Sequence, residues 1–354
     1  MPKRRKKLTD RPEIRTPEIR TDGSIDVLSD LLDTLRLATR THARFELGGP
    51  WGFQLPDDES AHIIVALRGG ARVETAGGAK PLVLSAGDLV LLPHGGLHTL
   101  RDAEGSALHA FGETECGAIR TAQPIRFGGG GVQTTLIIAA FRFRAAHRAL
   151  SLQRLARVIH IPADDAAASP SMASALQLLA AESVSHAPGS AVIVNRLADI
   201  LLVQVIRAFI AGSGCPEHGL RALGDPQIGK ALALIHERPG ERWTVGSLGK
   251  AVALSRSGFA ARFSALVGEP PLEYLVRWRM TKAAQFLRAG DLSISDIAER
   301  VGYQSEASFN RAFKQSEGTT PGAYRRSQSR RFENAPRGHS DPYPVSDLTA
   351  DLRQ

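Results

Sequence analysis

Residues 293–325 read SISDIAERVGYQSEASFNRAFKQSEGTTPGAYR. Ile297, Val301, Phe309 and Phe313 fall on one inner face of two short helices. Ser295 is placed to cap the first helix, which runs through Val301. Gly302 supplies the turn, because glycine tolerates the left-handed backbone, and Ser305 caps the second helix, Glu306–Lys314. Helix, tight turn, helix is the pattern of a DNA-binding helix-turn-helix.

The same pattern stands earlier in the chain. Leu248, Val252, Ser255, Phe259, Phe263, Gly268, Pro271 and Tyr274 recur as Ile297, Val301, Ser305, Phe309, Phe313, Gly318, Pro321 and Tyr324. One extra residue in the second turn, Gln304, shifts the register, so the chain makes one supersecondary unit twice. In the first unit Thr244 caps Val245–Val252 and Ser255 caps Arg256–Leu266. The caps Thr244, Ser255, Ser295 and Ser305 are also candidate phosphate contacts, because the amides of a helix N-terminus suit an anion. Between the units, PLEYLVRWRMTKAAQFLRA (271–289) opens on a proline and stops at Gly290. At 1.5 Å per residue it spans roughly 28 Å, near the ~34 Å between successive major-groove faces.

Charge agrees with a polyanionic partner. The 354-residue chain carries +8, with 17 Lys/Arg against 10 Asp/Glu from Asp225 to Phe332, and 8 against 4 in the first 24 residues. The basic N-terminus has no apolar run after it and reads as a disordered arm rather than a secretory signal. Cys116 and Cys215 stand alone, which excludes a disulfide framework and a Cys-rich zinc site. No run of 18 apolar residues suggests a membrane span, and the expected location is the cytoplasm.

The first half has a different grain. Asp26–Thr41 carries apolar residues at helical spacing and reads as a short helix leading into the first domain. From Arg44 to about Phe143, short apolar runs alternate with Gly, Pro and Asp, as in a β-sandwich or barrel. Two apolar helical segments, MASALQLLAAESV (172–184) and AVIVNRLADILLVQVIRAFIA (191–211), must then bury their faces, either within the chain or against a second copy.

WTVGSLGKAVALSRSGFAARF (243–263), RMTKAAQFLRAG (279–290) and the opening segment closely resemble the AraC-type DNA-binding domain. The resemblance implies a two-unit domain on consecutive major grooves of double-stranded DNA. By position, Arg256, Ser257, Ala260 and Ala261 match the exposed face of the first recognition helix, and Glu306, Ala307, Asn310 and Arg311 that of the second. Arg311 could pair with guanine and Asn310 with adenine, while Ala260 and Ala261 offer only apolar contact and Arg262 points to a phosphate. Unit one departs from the family at Gly249, usually Ala, and at Ala253, where the equivalent of Gly302 is expected.

GDLVLLPHGGLHTLRD (87–102) is similar to the second cupin motif, with His98 facing the barrel interior and Asp102 in the last place. The first cupin motif is not intact: His62 falls where the family has Glu, and Asp57 or Asp58 lies near the second His position. His62 and His98 with a carboxylate could hold a divalent metal or line the pocket of a small-molecule effector. With GGPWGF (48–53) and GGGG (128–131), the chain resembles regulators that join a cupin-type sensor to an AraC-type domain. The resemblance implies a two-domain α+β fold: a cupin-like β-barrel with a helical pair, then an all-α double helix-turn-helix. The expected divisions are an arm at 1–24, a sensor at 26–165, dimerising or transmitting helices at 166–212, a linker at 213–224, a DNA-binding domain at 225–332 and a disordered tail at 333–354. The expected function is ligand-responsive, non-enzymatic transcription regulation by a homodimer, with RNA polymerase a further partner of an activator. A cupin metalloenzyme of the dioxygenase kind fused to a DNA-binding domain is the alternative, and a ligand-free DNA-binding scaffold is a third reading.

Overall fold

The computed structural model describes residues 26–35, 39–55, 60–75, 80–94, 96–110, 123–142, 156–185, 187–211 and 221–333. The expected arm, Asp57, Asp58, both cysteines and the tail beyond Glu333 lie outside them.

Among the described residues, ten strands form two sheets. They are β1 (Thr39–Gly48), β2 (Gly52–Leu55), β3 (Ser60–Arg68), β4 (Ala71–Thr75), β5 (Leu82–Leu84), β6 (Leu89–Leu92), β7 (His98–Arg101), β8 (Ile125–Gly128), β9 (Gln133–Arg142) and β10 (Ile159–Ile161). The larger sheet has the order β10-β6-β3-β9-β1-β8 and the smaller β2-β7-β4-β5. Side chains alternate between sheet faces. Ile64 and Ala66 of β3, Val90 and Leu92 of β6, and Leu136 and Ile138 of β9 therefore enter the barrel core with Phe45, Phe53, Val73 and Leu100. Their neighbours Ile63, Val65, Leu89, Leu91, Ile137 and Phe141 face outward, into a second core. The larger sheet is covered on both faces, which explains why runs such as DLVLLP and TLIIAAF are continuous rather than alternating.

The cover on the outer face is helical. α2 (Ala163–Ala168), α3 (Pro170–Glu182) and α4 (Ser190–Ala211) follow β10. The α4 stripe Val194, Leu197, Leu201, Leu202, Val205 and Ile206 packs with Met172, Ala175 and Leu179 of α3 into that core. α5 (Arg221–Gly224) is a short helix where a plain linker was expected, with Ala222 fully buried.

The second half is helical: α6 (Pro226–Glu237), α7 (Val245–Ala251), α8 (Arg256–Val267), α9 (Pro271–Ala289), α10 (Ile294–Arg300), α11 (Glu306–Glu317) and α12 (Pro321–Glu333). The rod α9 has the expected bounds, with Pro271 in its first turn and Gly290 as a left-handed cap at φ 86°. Its first half (Tyr274, Leu275, Trp278) belongs to the core of unit one, its second half (Met280, Ala283, Ala284, Leu287) to that of unit two.

The first helix departs from expectation. α1 (Val27–Leu35) is shorter than Asp26–Thr41, because Thr39–Thr41 already belong to β1. It does more than lead into the barrel: it docks on α6 and α9 of the helical half. Val27 and Leu31 are buried there, and Asp30 receives His236 Nδ1–H at 2.9 Å and Lys282 Nζ at 2.5 Å. Tyr274 donates its hydroxyl to His236 Nε2 at 2.7 Å, and the His236 ring stacks on Trp278 at 3.8 Å. The lowered pKa of the buried His236 favours a neutral ring, with its proton on Nδ1 towards the Asp30 carboxylate. Burial lowers the His236 pKa, with Asp30 opposing, and burial raises that of Tyr274. Burial also pushes Asp30 up, but the hydrogen bonds from His236 and Lys282 outweigh it and hold its carboxyl below the usual range.

Candidate nucleic-acid interface

The second helix of each unit, α8 or α11, is started by a serine. Ser255 Oγ accepts from Gly258 N at 3.1 Å and Ser305 Oγ from Ser308 N at 3.2 Å, and both helices end on left-handed glycines, Gly268 and Gly318. Thr244 caps α7 through Ser247 N at 3.0 Å in a reciprocal capping box. Ser295 is not a cap. Ser293 takes that place, accepting from Asp296 N at 3.0 Å while the Asp296 carboxylate accepts from Ser293 N. The reason is local: only Ser293 has an acid three residues on to close the box. Ser295 lies inside the first turn.

The two units are near copies in three dimensions. Phe259 and Phe263 meet at 5.5 Å, and Phe263 meets Tyr274 edge-on at 5.8 Å. Phe309 and Phe313 meet at 5.7 Å, and Phe313 meets Tyr324 edge-on at 5.4 Å. With those aromatics inward, the opposite faces are open. Arg256, Ser257 and Ala261 are exposed on α8 and Ala260 is half-buried; Glu306, Ala307 and Arg311 are exposed on α11 and Asn310 is half-buried. Arg262 is exposed but engaged: its Nη2 and Nε donate to Asp225 Oδ2 at 2.6 and 3.2 Å.

Sequence reasoning missed what holds the units together. Arg279 of α9 donates to the carbonyls of Pro239 at 2.7 Å and Glu241 at 2.8 Å, fastening the loop before α7 to the rod. That loop meets the turn of unit two backbone to backbone: a Cβ on Gly302 (φ 85°) would lie 2.7 Å from Gly240 O. The glycine pair at fixed positions was the available signal. Ala253, at the matching turn of unit one, adopts φ 57° without a glycine. At Gly249 a Cβ would lie 3.1 Å from Leu254 O and 3.2 Å from Phe259 Cβ, a tight fit that a small shift of either neighbour would relieve.

In the barrel, strand parity places His62 with Ile64 and Ala66, and His98 with Leu100, so both histidines face the interior from opposite sheets. Asp102 is structural, accepting from Trp51 N at 3.0 Å and Ser106 Oγ at 2.6 Å. Among the described residues no three His, Cys, Asp or Glu side chains gather as a metal site. No described helix is long and apolar enough to cross a membrane.

A family profile described as "Cupin" matches residues 26–211 and one described as "Helix-turn-helix domain" matches residues 248–327. A putative AraC-like transcription regulator of Streptomyces lividans is 35% identical over 85% of this chain and 98% of its own length. The HTH-type transcriptional regulator AlkR of Acinetobacter baylyi is 32% identical over 85% and 99%. The DNA-binding domain of the global transcriptional factor AdpA, solved with a target DNA, is 30% identical and covers 32% of this chain and 99% of that one, with a TM-score of 0.29. Cupin barrel, paired helix-turn-helix units and full-length relatives agree: the chain belongs to the AraC-type DNA-binding transcription regulators that carry an N-terminal cupin domain.

Proposed function

We propose that the chain reads promoter DNA by laying α8 and α11 into successive major grooves, with Arg256 and Ser257 contacting DNA in the first groove and Glu306, Ala307, Asn310 and Arg311 in the second. The repeat carries this reading: two serine-started helices on one rod each bury their aromatics and expose the opposite face. Arg311 offers the planar fork that suits guanine O6 and N7, and Asn310 the amide that suits adenine. Ala260 and Ala261 supply only methyl contact, so unit two is the stricter reader. Around them, Thr244, Ser255 and Ser305 start helices whose first-turn amides suit phosphate oxygens. Arg311→Ala should cost about 1–3 kcal/mol on the specific site and relax preference at one base. An unaltered binding profile in a mobility-shift assay across single-base variants would remove Arg311 from the interface.

The regulator works as a homodimer in the cytoplasm, on this reading, and its barrel takes a small effector. The outer surface of α3 and α4 supports the dimer, because Leu178, Val192, Ile193 and Ile200 are exposed there, with Val184 exposed in the turn that follows α3. Ile193 and Ile200 are one heptad apart on α4, the spacing of a helix seam. The aromatic lining of the barrel, where Phe45 stacks on Phe53 at 4.8 Å and Phe127 meets Phe53 edge-on, favours an apolar effector. As an activator it would also contact RNA polymerase. The metalloenzyme reading rests on His62 and His98 alone and needs a further donor, for which Asp57 or Asp58 was the candidate. Metal analysis of the purified protein tests it.

A further inference from the structure

We propose that Asp225 is a built-in substitute for a DNA phosphate, holding Arg262 of the first recognition helix away from the DNA backbone until the two are exchanged. The inference rests on the reading of α8 as a DNA-contacting helix. Asp225 divides its two oxygens between two tasks. Oδ1 caps α6, accepting from Gln227 N at 3.1 Å and Ile228 N at 2.9 Å. Oδ2 does not cap; it takes both Nη2 and Nε of Arg262. Carboxylate and phosphate oxygens satisfy a guanidinium in the same way, so one can replace the other.

Position makes the exchange feasible. In the repeat, Arg262 stands one residue beyond Ala261, the counterpart of Arg311. It is therefore turned about 100° around the helix from the base-facing position, towards its flank. Its side chain is 47% exposed while that of Asp225 is 12% exposed, so the arginine is the mobile partner and the carboxylate the fixed one. Burial raises the Asp225 pKa, but the hydrogen bonds from Arg262 and from the Ile228 and Gln227 amides hold it below the usual range, so the acceptor stays ionised. Asp225 directly follows α5, which packs on both α8 and the end of α4. A shift of that connector would move the carboxylate relative to Arg262, and the sensor half thus has a handle on one backbone contact of unit one.

The test uses the full chain and a fluorescent duplex of fixed sequence, titrated at several salt concentrations. Asp225→Asn and Asp225→Ser keep a capping oxygen and remove the ionised Oδ2. Each should tighten binding at low salt and steepen the slope of log K against log salt by about 0.9, the value for one additional phosphate. Arg262→Gln should cancel that gain in the Asp225→Asn background and have a much smaller effect with Asp225 in place. Equal effects of Arg262→Gln in both backgrounds would overturn the proposal, because Arg262 would already be on a phosphate. Unchanged slopes in both Asp225 variants, with thermal unfolding showing them folded, would overturn it as well and leave the pair a purely structural one. Failure of the unaltered protein to bind DNA in a salt-dependent way would instead strike the DNA-contacting reading itself.

Discussion

Ala253 and Gly302 occupy the same point in two copies of one turn, and only one of them is glycine. Both are left-handed, a conformation that costs an L-residue roughly 1–2 kcal/mol. At Gly302 the strain would be joined by a collision with Gly240 O and the Arg279 guanidinium, whereas Ala253 is exposed. Ala253→Gly should therefore raise stability by up to about 1 kcal/mol, relief of strain being partly offset by the freer unfolded chain. Gly302→Ala should lower it by more than about 1 kcal/mol. Denaturant melts of the two variants check both signs, and a neutral Gly302→Ala would show that the loop of Gly240 yields. At this scale the sequence was legible wherever a residue's own chemistry decides its role: Ser255, Ser305 and Thr244 cap as expected. It misled at Ser295, where two serines compete two residues apart and the choice depends on which has Asp296 at the right distance.

α1 shows what an element's own pattern leaves open. An amphipathic nonamer announces that it will bury Val27 and Leu31, not against what. Its partner surface on α6 and α9 comes from residues about 200 positions away, and no local periodicity encodes that meeting. The junction has a measurable pH signature. Burial lowers the folded-state pKa of His236, and that of His42, whose Nδ1–H donates to Asn195 Oδ1 at 2.8 Å. A histidine kept neutral by folding binds fewer protons than in the unfolded chain, so its contribution is full above an unfolded value of about 6.5 and is lost as the pH falls below it. The thermal midpoint should drop between about pH 7.5 and pH 5.5, and His236→Gln should flatten part of that drop. Parallel curves for the two proteins would mean that the imidazole protonates in place without penalty.

For the molecule as a whole, the repeat, the rod and the change from strand to helix grain were readable because each is a pattern within one segment. The double burial of the larger sheet was readable only in hindsight, from runs too apolar to have a wet face. How α5 and the loop of Gly240 join the parts was not: α5 docks through the small side chain of Ala222, and the loop through backbone atoms and one half-buried arginine, Arg279. The uneven charge belongs to this scale too. With 17 basic and 10 acidic residues from Asp225 to Phe332, binding to a specific duplex should weaken steeply with ionic strength. Six to ten neutralised phosphates would correspond to a loss of about 10³–10⁵ in affinity between 50 and 200 mM salt. A flat titration in a fluorescence anisotropy experiment would move the contact surface away from the basic domain.

The docking of α1 also bears on how the protein can be dissected. A fragment opening at residue 225, the natural place to cut for crystallising the reader with its operator, discards the nine-residue plug that fills the cleft between α6 and α9. His236 and Lys282 would then lose their shared carboxylate, Asp30, so half-molecule measurements would describe a domain without that contact. Fusing residues 26–35 ahead of such a fragment through a flexible tether would restore the missing wall.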